Sequence, residues 1–108
     1  MTEEPSVGGS LTLTDVLADA ADGQEGVTSD RSSWSLGGLV FAVAEADAAE
    51  FRLDPAVAAA ARRTPDTHPS ERGADWVRFQ PVELDDQAID RAEAWFGSAH
   101  RRALREAR

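Results

Sequence analysis

The chain has 108 residues, a formal net charge of −9 and no cysteine. That length allows one hydrophobic core and not two, and the lack of cysteine excludes disulfides, thiol nucleophiles and cysteine-based zinc sites. An acidic chain repels phosphate backbones, which disfavours general binding to nucleic acid or to an anionic membrane.

Residues 1–10, with Pro5, Gly8, Gly9 and two serines, read as a flexible tail ahead of a single domain over 11–108. A first helix follows. Thr12 is placed to cap it, Leu11 and Val16 stand at the two staple positions, and Leu13, Val16, Leu17, Ala20 and Ala21 make one apolar stripe that Gly23 ends. Gln24 to Ser33 is polar except for Val27 and reads as a loop or a short edge strand.

From Leu39 the hydrophobic period changes to two, with Leu39, Phe41 and Val43 expected on one face and Val40 and Ala42 on the other. A turn near Ala46-Asp47 returns the chain through a second strand with Phe51 and Leu53 inward and Glu50 and Arg52 outward. Asp54-Pro55 is an acidic cap followed by proline at the first helical position, so a helix is expected to about Arg63. Residues 64–73, with Pro65, Pro69 and Gly73, read as a loop. Asp75 to Gln80 reads as a strand with Val77 and Phe79 on one face and Trp76 and Arg78 on the other. A last helix is capped by Asp85, stapled by Leu84 and Ile89, and carries Ala88, Ile89, Ala92, Trp95, Phe96, Ala99 and Ala103 on its apolar face. The expected fold is α+β: a small antiparallel sheet with an N-terminal, a middle and a C-terminal helix packed on it.

The entry Gly37-Gly38-Leu39-Val40-Phe41-Ala42, the return strand Phe51-Arg52-Leu53, the strand ending at Pro81 and the closing helix with Trp95 and small alanines resemble, over about residues 34 to 104, the N-terminal domain of the TfoX competence regulators and the YjbR (MmcQ-like) small domains. The resemblance implies a compact antiparallel sheet covered by terminal helices, and a role in regulation or at DNA. It supplies no catalytic motif.

Charge is unevenly spread. Residues 1–50 hold ten acids against Arg31 alone, whereas residues 51–108 hold ten acids and ten arginines. Lysine is absent, which fits a GC-rich coding bias or, as the sharper alternative, a salt-rich cytoplasm. Of the apolar residues, 20 are alanine, so the core is expected to be thin and to depend on three Trp and four Phe. No apolar run approaches the ~18 residues of a membrane span, and Thr2-Glu3-Glu4-Pro5 lacks the regions of a signal peptide. A cytoplasmic location is expected.

Polar residues of chemical interest converge only between Arg62 and Asp75. Arg62, Arg63, His68 and Arg72, with Ser70 beside them, form a candidate anion site, because guanidinium forks suit oxyanions. The competing reading is a solvated loop whose arginines pair with helix-end carbonyls and acids. His68 and His100 are the only histidines and neither has a carboxylate pair at metal-binding spacing, so no metal site is expected. Gly8-Gly9 and Gly37-Gly38 lack the context of a nucleotide loop. No catalytic residue and no cofactor is assigned. Trp95 and Phe96 point about 100° apart on one helix and are either core residues or a candidate interface with a second copy or another protein. The leading expectation is a non-enzymatic protein-association or ligand-binding module. The alternatives are a regulator contacting nucleic acid through the Arg-rich last helix, and an anion-binding domain or small enzyme centred on the 62–75 loop.

Overall fold

The computed structural model describes residues 11–107. The expected tail over 1–10 lies outside the described residues, as does Arg108. Three helices, α1 (Leu13–Ala21), α2 (Pro55–Ala61) and α3 (Asp86–Glu106), accompany six strands: β1 (Val27–Asp30), β2 (Ser33–Leu36), β3 (Leu39–Ala44), β4 (Ala49–Arg52), β5 (Thr67–Pro69) and β6 (Trp76–Phe79). The strands form one antiparallel sheet in the order β1-β2-β3-β4-β6-β5. The α+β expectation stands, with a wider sheet than the sequence suggested.

Local chemistry explains the helix starts. Thr12 and Asp15 make a reciprocal capping box on α1, and the Asp85 carboxylate accepts the Ala88 amide at the start of α3. Asp54 does not cap α2 with its side chain; Pro55 alone shapes that start, α2 ends at Ala61 rather than Arg63, and the Asp54 carboxylate binds Arg105 instead. Leu11 remains 55% exposed, so the expected staple adds little at α1.

α1 and α3 pack against each other and on the same face of the sheet. The core between them holds Trp34, Phe41, Phe51, Val77, Phe79, Leu13, Leu17 and Phe96, with Ala58 and Ala61 of α2 completing it. Phe96 lies edge-on to Trp34 and Phe41, at 6.0 and 5.3 Å between ring centroids. Trp95 meets Phe79 at 5.1 Å and Phe51 at 6.1 Å. The alanines of α3, at Ala88, Ala92, Ala99 and Ala103, are buried and let the helix approach the sheet closely.

Two expectations change, and a third resolves to one of its alternatives. The alternation along β3 breaks because the register to β2 shifts: Trp34 faces Ala42 and Ser35 faces Val40, leaving Phe41 as the extra residue of a bulge. Phe41 and Ala42 are therefore both buried, and Val43, expected beside Phe41, sits half-buried in the cross-strand row of Ser33 and Glu50. The 64–73 stretch is not all loop, since Thr67–Pro69 pairs with β6 as an edge strand. Three residues ending in proline carry no strand signal of their own; the pairing with β6 defines them. The 24–33 segment takes its edge-strand alternative as β1. Among the described residues no helix is long and apolar enough to cross a membrane.

Candidate functional site

With α1 and α3 on one face, the side chains that alternate away from them form the other. The register aligns Asp30, Ser33, Val43, Glu50, Arg78 and His68 as one row across all six strands. A second row brings Thr28 beside Ser35 and Val40, and Arg52 beside Trp76. This face is polar at its ends and charged at its centre.

Glu50 is that centre. Its carboxylate is 12% exposed, accepts the Ser70 hydroxyl and the Arg72 Nε, each at 2.8 Å, and stands 3.8 Å from Arg78. Arg78 also donates to Glu45 at 3.0 Å. Burial pushes the Glu50 carboxyl up, but the hydrogen bonds from Ser70 and Arg72 and the two positive charges outweigh it and hold the group below the usual carboxylate range. The Glu45 hydrogen bond, aided by charge, raises Arg78 despite its burial. Arg72 completes the arrangement by lying 5.4 Å from the centre of the Trp76 ring.

Two adjoining hollows of about 580 and 230 Å³ share Glu45, Glu50, Arg72 and Arg78. Their walls carry three glutamates and two arginines, and the arginines already have carboxylate partners. The chemistry is that of a mixed-charge surface. Glu50, fully partnered and held ionised, is poorly suited to move a proton.

The candidate anion residues do not form one site: Arg62 and His68 share one hollow, Ser70 and Arg72 meet at the Glu50 carboxylate, and Arg63 joins neither. Arg62 donates to the Ala74 carbonyl and so ties the end of α2 to the following loop. His68 shares a separate hollow of about 240 Å³ with Arg62, Thr67 and Pro69, while Arg72 belongs to the Glu50 cluster. Arg63 is exposed and lines neither. Trp95 and Phe96, the candidate interface pair, pack on the sheet: Phe96 is 1% exposed and Trp95 half-buried.

Glu45, Glu50 and Arg78 were not singled out by sequence reasoning, and Ser70 was expected at an anion rather than on a carboxylate. Each is an ordinary polar position, and only the β4–β6 register places Glu50 opposite Arg78. An acid and a base on the outward faces of two strands were the available signal, without a way to pair them.

A second cluster latches the end of α3. Arg102, 11% exposed, donates to the Leu53 carbonyl, to Asp75 at 2.9 Å and to Glu106 at 3.1 Å. Arg52 binds Glu106, and Arg105 binds Asp54. The Arg52 and Arg102 contacts hold Glu106 below the usual carboxylate range. Among the described residues no group of histidines and acids is arranged to hold a metal ion.

Comparison with known protein families, with curated proteins and with solved structures gave no match to this chain.

Proposed function

We propose that the protein is a non-enzymatic association module that binds a partner protein through the face of its sheet opposite α1 and α3. One observation carries this reading: among the described residues, six strands are covered by the two terminal helices on one face only, and the other presents partnered charges beside the half-buried Val43 and Trp76 and the exposed Val40. Small-molecule pockets are mostly apolar and enclosed, whereas the hollows around Glu50 are polar and open to solvent. Mixed charge around a few apolar side chains suits a transient protein interface better.

The nucleic-acid alternative has less support. Arg102 and Arg105 are matched by Asp54, Asp75 and Glu106, and Arg101 donates to Ser98. Few cations remain for the several phosphate contacts that even non-specific binding needs. Kinship with the TfoX N-terminal and YjbR-like domains belongs to this proposal in its regulatory sense, as a domain that acts by contact.

Affinity capture of the tagged chain from its own cells tests the reading. Ser35→Arg and Val43→Arg, at positions where a new side chain meets solvent, are expected to remove a partner that Asp90→Arg and Glu93→Arg on α3 retain. Equal retention by all four variants overturns it.

A further inference from the structure

The sheet has two edges, and they are unlike. β5 is three residues long, ends at Pro69, and leads into Ser70, which is tied to Glu50. Proline and shortness blunt that edge. β1 is four residues long with no proline, pairs only with β2 among the described residues, and has Thr28, Ser29 and Asp30 exposed. In an antiparallel ladder alternate residues aim their N–H and C=O groups away from the partner strand, so the outer side of β1 presents unpaired backbone.

Beside that edge a shallow groove runs between α1 and β1. Val27 and Ser29, which alternate toward the helices as the partners of Leu36 and Trp34, form one wall. Asp15, Asp19 and Asp22, spaced along one side of α1, form the other. A strand added to β1 would place its helix-side residues in this groove. Asp19, Asp22, Glu25 and Asp30 are exposed and have no ion-pair partner among the described residues; Arg31 is the only cation in this half of the chain.

We propose that the free edge of β1 is a docking site for an extended, basic segment of another protein, taken up as a seventh strand. The backbone of β1 makes the site; the acids decide what fits it. Main-chain pairing supplies affinity without regard to sequence, and side chains at alternate positions supply the choice. A strand carrying Arg or Lys at every second position sets those charges against the α1 aspartates, while an acidic strand is repelled there. The site is independent of the Glu50 face, so either can fail alone.

Amide hydrogen exchange and NMR titration of the full chain test this with three synthetic peptides of roughly eight residues: alternating Arg and Thr, alternating Glu and Thr, and alternating Arg and Pro. The Arg-Thr peptide is expected to slow exchange at the outward amides of 27–30 by about tenfold or more. The Glu-Thr peptide fails on charge, and the Arg-Pro peptide fails for want of amide donors. Replacing Asp19 and Asp22 by Asn and Glu25 by Gln leaves the fold intact and weakens the Arg-Thr peptide about tenfold, as does raising salt to about 0.5 M. Ser29→Pro and Thr28→Pro are companion variants, one of which blocks an outward amide.

Equal binding of the Glu-Thr or Arg-Pro peptide overturns the proposal, as does protection confined to α3 or to the Glu50 face. So does slow exchange at the outward amides of 27–30 in the peptide-free protein: independent of concentration, it means that the chain's own residues cover the edge, and rising with concentration, that a second copy does.

Discussion

Glu50 and His100 show how differently a polar side chain can be accommodated. Glu50 has the partners a largely buried carboxylate needs; His100, 7% exposed and 5.8 Å from the Phe41 ring, leaves its Nε2 without a hydrogen bond among the described residues, as Trp34 leaves its Nε1. An unsatisfied buried polar atom costs about 1–3 kcal/mol, and an apolar group of the same shape avoids that cost. His100→Phe or His100→Leu is thus expected to hold or raise the melting temperature, and a fall of many degrees would mean that the imidazole has a partner.

Acid acts on the same scale. Glu50 and Glu106 are held below their ordinary value of 4.5, so their contribution to stability is complete above that value and is lost as pH falls through the depressed one. Melting temperature is expected to be level from neutral pH down to about 5 and to fall below it. Glu50→Gln makes the acid limb shallower; an unchanged limb would show that Glu50 titrates normally.

At the level of elements, the closing helix dominates. Phe96 is buried against Trp34 and Phe41, whereas Trp95 keeps one edge in solvent, so Phe96→Ala is expected to cost about 3–5 kcal/mol and Trp95→Ala less. Denaturant unfolding of both variants checks the order, and a larger loss at Trp95 would reverse it. Arg102 fixes the other end. Arg102→Met strands the Leu53 carbonyl and two carboxylates at a cost of about 2 kcal/mol, and Arg102→Lys recovers only part because it lacks the fork.

These elements also show what the sequence discloses. Caps at Thr12 and Asp85, the inward faces of β4 and β6 and the apolar stripe of α3 follow from local chemistry and period, and the structure has them. The bulge at Phe41 does not, because alternation assumes an unbroken register and nothing in Val40-Phe41-Ala42 marks an inserted residue. β5 was hidden for a related reason: an edge strand containing proline is defined by its neighbour. The same dependence on pairing concealed the Glu50 cluster, whereas the anion site expected from Arg62, Arg63, His68, Ser70 and Arg72 relied on closeness in sequence, and the chain divides it between the Arg62–His68 hollow and the Glu50 carboxylate.

For the molecule as a whole, sequence order becomes charge geography. The acid-rich first half forms α1 and β1 to β3 at one end of the sheet, and the balanced second half forms the other end with its ion pairs. With a net charge of −9, self-repulsion outweighs the exposed pairs, so added salt is expected to raise the melting temperature between about 0.01 and 0.15 M. A fall over that range would mean that the ion pairs dominate.

The association face is tested most directly by site-specific photo-crosslinking in the cell, with a benzophenone side chain introduced in turn at Ser35, Val43, Asp90 and Glu93. A discrete adduct of one size is expected from Ser35 and Val43 and none from the two positions on α3. Adducts from Asp90 and Glu93 alone, or the same adducts from all four positions, would contradict the proposed face.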